Sequence, residues 1–126
     1  MSMKVRKSFA LLILSILCTL FCFGCADVNE DFEVVGEPTF SCVYNEETAC
    51  YDVTVDGVAK NNGDKAWEYV FITFALYDEQ GNMIGVAKDT VDYVEIQGGW
   101  RFSAKGEVRY PTHSIKFVEF EGYEKN

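Results

Sequence analysis

The side chains that could perform chemistry are one histidine, twenty carboxylates and five cysteines. His113 follows Pro111 in a segment that is typical of a loop, so we expect a solvated imidazole there. The sequence contains no Gly-x-Ser-x-Gly elbow, no phosphate-binding glycine loop and no His-Glu-x-x-His helix. We therefore predict no catalytic residues, and the chain is not expected to be an enzyme.

The carboxylates raise the question of a calcium site or a glycosidase-like pair. Residues 27–31 begin like an EF-hand loop, but Phe32 stands where that loop needs glycine. Pro38 also stands where the bidentate glutamate should be. Three later acids could converge near one edge of the fold, although their surroundings read as solvent-facing strand positions: Asp89, Asp92 and Glu95. We expect no metal site and no cofactor.

The N-terminal segment has the charge and hydropathy pattern of a secretory signal. Three basic residues precede an apolar run from Phe9 to Phe23, and an acidic stretch begins at Asp27. A permanent transmembrane helix is the alternative, but such a helix needs roughly 20 predominantly apolar residues, and this run is shorter. We predict that residues 1–24 are cleaved as a signal peptide.

The end of that segment, Cys22-Phe23-Gly24-Cys25, resembles the motif that closes bacterial lipoprotein signals, usually Leu, two small residues and Cys. Gly24 is the small residue that a signal peptidase needs before the cut. Cys25 supplies the thiol onto which a diacylglycerol is transferred. The first motif position is Cys rather than Leu, and the second is larger than usual. Ordinary signal cleavage and lipidation at Cys18 are the alternatives.

Lipidation of Cys25 predicts the cellular location of the chain as well as its membrane anchor. The acyl lipid would hold the chain at the extracytoplasmic face of a bacterial cell membrane. Residues 25–33 are polar and acidic, so they are expected to form a flexible tether. The remaining residues, 34–126, suffice for one folded domain.

Cys42 and Cys50 are left when the signal and the lipid account for the other three cysteines. An exported domain permits a disulfide, and the residues between the two can form a hairpin connection. We predict a Cys42–Cys50 disulfide that stabilises the domain by roughly 2–3 kcal/mol. A redox role is not favoured because the pair lacks C-x-x-C spacing.

The charge of the chain restricts its partners. The net charge is −9, and removal of the three basic residues of the signal lowers it to −12. Such a surface repels DNA, RNA and anionic lipid head groups, so no nucleic-acid partner is expected. Solubility alone accounts for this charge; attraction to a basic partner or to divalent cations is the functional alternative.

From Pro38 onward the sequence has period-two alternation, short apolar runs and many β-branched and aromatic residues. This pattern predicts an all-β domain that follows the signal helix and the tether. Seven short strands in about 100 residues favour an immunoglobulin-like antiparallel sandwich of two sheets. The predicted strands are Thr39–Tyr44, Cys50–Ala59, Glu68–Asp78, Met83–Lys88, Thr90–Gln97, Trp100–Lys105 and Ser114–Glu121.

The third of these strands is predicted to be central, with both of its faces largely covered. Its sequence places four apolar side chains on one face and four on the other. The first face holds Val70, Ile72, Phe74 and Leu76; the second holds Tyr69, Phe71, Ala75 and Tyr77. Burial of these side chains is expected to dominate the stability of the domain.

A family resemblance rests on the segment Phe74-Ala75-Leu76-Tyr77-Asp78, which matches the signature of the FxLYD domain family. Upstream, Val55-Asp56-Gly57 with Asn61 is similar to the V-x-G-x-x-x-N stretch of the family. Downstream, a turn at Gly81 leads into the next strand. The resemblance covers about Tyr51 to Ser103. It implies an immunoglobulin-like sandwich on bacterial exported proteins and lipoproteins, with no catalytic activity.

The resemblance also implies structural roles for four signature residues. Phe74 and Leu76 are expected on one core face, and Tyr77 and Asp78 at the end of the strand. Asp78 is suited to cap the following turn by accepting backbone N–H bonds.

Trp100 is the one aromatic residue that we predict as a partner contact, because it follows Gly98-Gly99 and is expected to be exposed. The leading hypothesis is a non-catalytic, lipid-anchored module that binds another protein or an envelope component. A carrier of a small ligand or a cation is the second hypothesis, and it requires a concave pocket. An enzyme would need several acids that converge in a pocket with raised pKa values.

Overall fold

The computed structural model describes residues 27–125, and its fold consists almost entirely of β-strands. The predicted signal at residues 1–24 and the lipidation site Cys25 lie outside the described residues. Within residues 27–125 no helix is long and apolar enough to span a bilayer. The elements are α1 (Val28–Asp31), β1 (Phe32–Asn45), β2 (Cys50–Asn61), β3 (Trp67–Tyr77), β4 (Met83–Val94), β5 (Gly99–Val108) and β6 (Ser114–Glu124).

The six strands form one antiparallel sheet in the order β1-β2-β5-β4-β3-β6. The sheet curls into a half-barrel with β1 and β6 at its two ends. The backbone pairing is shortest between β4 and β5, where Lys88 and Lys105 are the single aligned pair. The two strands approach closely here, because a Cβ added to Gly106 would lie 2.3 Å from the carbonyl oxygen of Val86.

The predicted two-sheet sandwich is wrong, although the all-β composition is confirmed. The sequence suggested a strand break between Lys88 and Thr90, but β4 runs without interruption through Asp89. The Asp89 carboxylate accepts hydrogen bonds from the backbone N–H groups of Thr90 and Ser103, both at 2.8 Å. The Asp89 carboxylate therefore has hydrogen-bond partners within the strand and links β4 to β5, so the two strands belong to one sheet.

The core lies on the concave face of the curled sheet. The predicted inner face of β3 is confirmed, since Val70, Ile72, Phe74 and Leu76 are fully buried. The Phe74 ring lies 5.5 Å from that of Phe102 on β5, centroid to centroid, and so links β3 to β5 across the core. Burial of each large side chain stabilises the fold by about 1.5–3 kcal/mol. The outer face differs from the prediction, because Tyr69 and Phe71 are exposed there.

Residues 27–33 are folded against the domain, whereas the sequence predicted a flexible tether as far as residue 33. The Asp27 carboxylate caps α1 by accepting a 2.9 Å hydrogen bond from the Asn29 backbone N–H. Val28 and Phe32, four residues apart, are both buried in the core. The Asp31 carboxylate accepts a 2.9 Å bond from the indole N–H of Trp67. The carboxylates of Asp27 and Asp31, which suggested a solvated tether, thus accept hydrogen bonds that stabilise the fold.

The predicted Cys42–Cys50 disulfide is not formed, and both residues are free thiols. In the β1–β2 hairpin Cys42 pairs with Val53, whereas Cys50 pairs with Asn45. The two cysteines are thus three positions apart along the ladder, about 10 Å, and their side chains point to opposite faces of the sheet. A disulfide needs Cα atoms closer than about 7 Å. The short loop closes a hairpin, but its register keeps the thiols apart.

Candidate functional site

The curl of the sheet leaves an open groove between its two end strands, β1 and β6. We call this the seam groove; it has a volume of about 540 Å³. Residues that are far apart in the sequence form it, with β1 on one side, β6 on the other and Phe74 of β3 in its lining. Its apolar lining consists of Phe32, Val34, Phe74, Ile115, Phe117 and Phe120.

One end of the seam groove is closed by the side chain of Asn29 on α1. Its Nδ2 donates to the Phe120 carbonyl at 2.9 Å, and the Phe120 N–H donates to Asn29 Oδ1 at 2.7 Å. Below this pair, the rings of Phe32 and Phe120 lie 5.3 Å apart. A residue of a neighbouring strand exchanges the same two bonds in an antiparallel ladder. The Asn29 side-chain amide therefore makes the two bonds that one residue of a further strand beside β6 would make.

The β1 side of the open end departs from regular strand geometry. Its register with β2 shifts between Val35 and Thr39, where Gly36 has a positive φ of 72° and Pro38 has no N–H to donate. Glu33 and Glu37 line the groove on this side. The kink and the charges protect this edge against indiscriminate pairing with other strands. They also make one wall of an apolar groove acidic.

The β6 side of the open end is an edge strand whose hydrogen-bonded neighbour in the sheet is β3. A bulge displaces its register between the pairs Thr73–Glu119 and Phe74–Phe117. Phe117 and Val118, at this bulge, are both exposed. Among residues 27–125 no second strand pairs with this edge. Large apolar side chains beside such an edge are features of surfaces that bind another strand.

The signature residues that the sequence singled out are placed in the core and at the turn after β3. Phe74 and Leu76 are fully buried, and Phe74 also lines the seam groove. Asp78 accepts backbone bonds from Gln80 at 3.0 Å and Asn82 at 2.9 Å. The bond from Asn82, followed by further bonds in the turn, lowers the pKa of the Asp78 carboxyl. Tyr77 is half-buried at the strand end.

Trp100 is not available as a partner contact, because it is only 7% exposed. Its indole packs edge to face on Phe102, with ring centroids 6.1 Å apart. Gly99 and Trp100 are the first two residues of β5, and Gly98 immediately precedes the strand. The sequence predicted an exposed Trp100 at the start of a strand, whereas its side chain belongs to the inner face of the sheet.

The other candidates for chemistry do not converge. His113 is exposed, and its backbone N–H donates to the Tyr77 carbonyl at 2.8 Å. Asp89 is held by the backbone of β4 and β5, while Asp92 and Glu95 are exposed. Across residues 27–125, no three His, Cys, Asp or Glu side chains are grouped closely enough to hold a metal ion.

Two asparagines matter more than the sequence indicated. Asn29 closes the seam groove, and no local pattern could identify it, because its partner Phe120 lies 91 positions later. Asn61 is fully buried, and its Nδ2 donates to the carbonyls of Lys65 and Glu95 at 2.7 and 3.1 Å. The Val55-Asp56-Gly57 stretch with Asn61 was noted only for its resemblance. Asn61 in fact links the β2–β3 and β4–β5 connections.

Comparison with known proteins adds no family to this description. A scan against family models found no match, and searches of the curated proteins and of the solved structures found none either. The FxLYD resemblance therefore stays a prediction that rests on the quoted segments alone.

Proposed function

We propose that the chain is a non-catalytic binding module of the bacterial envelope, anchored through a lipid on Cys25, and that its seam groove binds an extended segment of another protein. The segment would add to β6 as a further strand. The observation that carries this proposal is the pair of hydrogen bonds between Asn29 and Phe120. A side chain of the domain already occupies one strand position on that edge, and the groove continues beyond it.

Strand addition accounts for the composition of the groove. Main-chain bonds to an exposed edge give affinity, and pockets for alternate side chains give specificity. The lining offers such contacts at Ile115 and Phe117 on β6 and at Val34 on β1. Glu33 and Glu37 line the opposite wall, so the preferred segment alternates apolar residues and carries a basic one. A second copy of this acidic chain would be repelled.

A synthetic peptide tests this proposal. We would titrate a seven-residue peptide, alternating valine and threonine between terminal lysines, into the full chain held in lipid nanodiscs. The matched peptide carries N-methyl groups on alternate backbone nitrogens along one edge. Strand addition predicts that N-methylation weakens binding at least about tenfold, as the loss of several main-chain bonds should. Equal binding of the two peptides would contradict strand addition.

Variants of the protein locate the binding. Ile115→Glu places a charge in the groove and should abolish binding of the unmethylated peptide. Val43→Glu is the control, because Val43 is exposed on β1 away from the groove. If Val43→Glu weakened binding as much as Ile115→Glu, the seam groove would not be the site.

The second candidate function is the carriage of a small apolar ligand. The observation that favours it is the volume of the seam groove, about 540 Å³, with six apolar residues in its lining. Ligand sites have volumes in this range and linings of this kind. A carrier would bind a fluorescent fatty acid, lose that binding in Ile115→Glu, and be indifferent to N-methylation of a competing peptide.

A further inference from the structure

A second surface lies on the outer face of the sheet, where three tyrosines from three adjacent strands come together. Tyr69, Tyr93 and Tyr123 are 54%, 50% and 69% exposed. Glu68 of β3 pairs with Tyr93 of β4 on one side and with Tyr123 of β6 on the other. Side chains of paired residues in a sheet point to the same face. The rings of Tyr69 and Tyr123 meet edge to face at 6.5 Å.

The third tyrosine reaches this face through a bulge in β3. Between the pairs Glu68–Tyr123 and Phe71–Glu121, β3 has one residue more than β6, and Tyr69 adopts a positive φ of 51°. Trp67 and Val70 on either side of the bulge both point into the core. Such backbone is rare for a residue other than glycine. The bulge lets two consecutive residues, Glu68 and Tyr69, face outward between Trp67 and Val70, where a regular strand would alternate.

This surface already holds one cation of the chain itself. The Lys125 ammonium lies 2.9 Å from the Glu68 carboxylate. That bond, and then the negative charge of the Glu68 carboxylate, raise the pKa of Lys125. Carboxylates and aromatic faces both stabilise a positive charge.

The tyrosines continue into a groove of about 660 Å³ between β6 and α1. Phe71 and Tyr123 line its aromatic side. Its acidic side has four carboxylates and, among the residues that line it, no basic side chain: Asp27, Glu30, Glu119 and Glu121. We call the three tyrosines together with this groove the aromatic–acidic surface.

We infer that the aromatic–acidic surface binds the arginine or lysine side chains of a basic protein segment. Exposed rings supply cation–π contacts, and the carboxylates beside them supply charge-assisted hydrogen bonds. Arginine suits both, because its planar guanidinium stacks on a ring while its N–H groups meet a carboxylate. The aromatic–acidic surface adjoins the seam groove and shares Asn29 and Phe120 with it, but none of its tyrosines or four carboxylates lines the seam groove. This inference therefore does not depend on the proposed strand addition.

Calorimetry on the full chain in nanodiscs tests the inference with an eight-residue peptide that alternates glycine and arginine. The matched probe replaces each arginine by citrulline, which has nearly the same shape and no charge. The arginine peptide should bind at least about tenfold more tightly, because charge supplies the attraction. Binding should weaken as salt is raised. Equal affinities for the two peptides would overturn the inference.

Paired variants separate this site from general attraction to an acidic protein. Glu119→Gln with Glu121→Gln should weaken binding at least about fivefold, while Glu46→Gln with Glu47→Gln, on the β1–β2 turn, should change it less than about twofold. The double variant Tyr69→Gly with Tyr123→Ser removes two rings of the surface and should weaken binding; glycine is used at position 69 because it accommodates the positive φ. Tyr110→Ser, which removes an exposed tyrosine elsewhere, is the control. Equal losses in the target and control variants would overturn the site.

Amide chemical shifts of the unmodified chain provide a measurement that needs no variant. The arginine peptide should perturb Phe71 and residues 119–123 and leave residues 115–117 of the seam groove unchanged. Perturbation confined to the seam groove would overturn the inference while supporting the first site. Binding of a neutral chitin oligosaccharide at the tyrosines, without binding of the arginine peptide, would also overturn it.

Discussion

Asn29 and Phe120 are joined by two hydrogen bonds, of 2.9 and 2.7 Å, in which a side-chain amide pairs with a backbone amide. This contact connects the first element of the domain to its last strand and holds the two ends of the curled sheet together. Through it, the N–H and C=O of Phe120 form bonds on the edge of β6 that faces away from β3. The proposed strand addition extends this one contact along β6.

Removal of the Asn29 amide should loosen the seam groove. Asn29→Ala leaves the N–H and C=O of Phe120 without their partner, at a cost of about 1–2 kcal/mol in the free energy of unfolding. Urea unfolding measures this loss. Amide exchange of Phe120 should also accelerate. Asn62→Ala is the control, since Asn62 is exposed, and equal losses in the two variants would refute the role of Asn29.

Gly57 should not tolerate a side chain. A Cβ at this position would lie 2.5 Å from Cζ of Phe102, and Phe102 is buried and cannot move aside freely. We expect Gly57→Ala to lower the free energy of unfolding by about 1–3 kcal/mol. Gly99→Ala is the matched control on β5, because its Cβ would meet only a carbonyl oxygen at 3.9 Å. A tolerated Gly57→Ala would mean that the Phe102 ring does not cover this position.

The stability of the domain should depend on pH through Asp78. Turn hydrogen bonds, first of all that from Asn82, lower the pKa of this carboxyl in the folded state below its ordinary value of 3.8. Its contribution is therefore fully present above pH 3.8 and is lost as the pH falls through the folded-state pKa. Asp78→Asn should lose less stability on acidification than the unmodified chain.

Thermal unfolding at a series of pH values measures this difference. Glu79→Gln is the control, because Glu79 is exposed in the same turn. If Asp78→Asn and the unmodified chain lost stability in parallel below pH 3.8, the turn bonds to Asp78 would not be coupled to folding.

The sequence predicted the features that depend on residues close to one another along the chain. Period-two alternation identified the inner face of β3. The position of Asp78 at the end of a predicted strand identified its role in the following turn. It could not predict that β4 continues through Asp89, because the acceptor role of that acid depends on Ser103 across the sheet. The prediction of a two-sheet sandwich was therefore wrong. The seam groove could not be predicted from the sequence either, because it joins residues that are about 90 positions apart.

Cys42 and Cys50 should remain free thiols even in an oxidising compartment. The β1–β2 register places them on opposite faces, too far apart to be joined. Mass spectrometry after alkylation of the unreduced, denatured chain should find both cysteines modified. A tryptic fragment containing a Cys42–Cys50 bond would contradict the hairpin register and restore the disulfide that the sequence predicted.

The central claim is that β6 accepts a strand in the seam groove, and amide hydrogen exchange tests it most directly. With the valine–threonine peptide bound, outward-facing amides in residues 114–118 should exchange at least about tenfold more slowly, as amides that enter a β-ladder do. Binding without added protection anywhere in residues 114–118 would contradict the account.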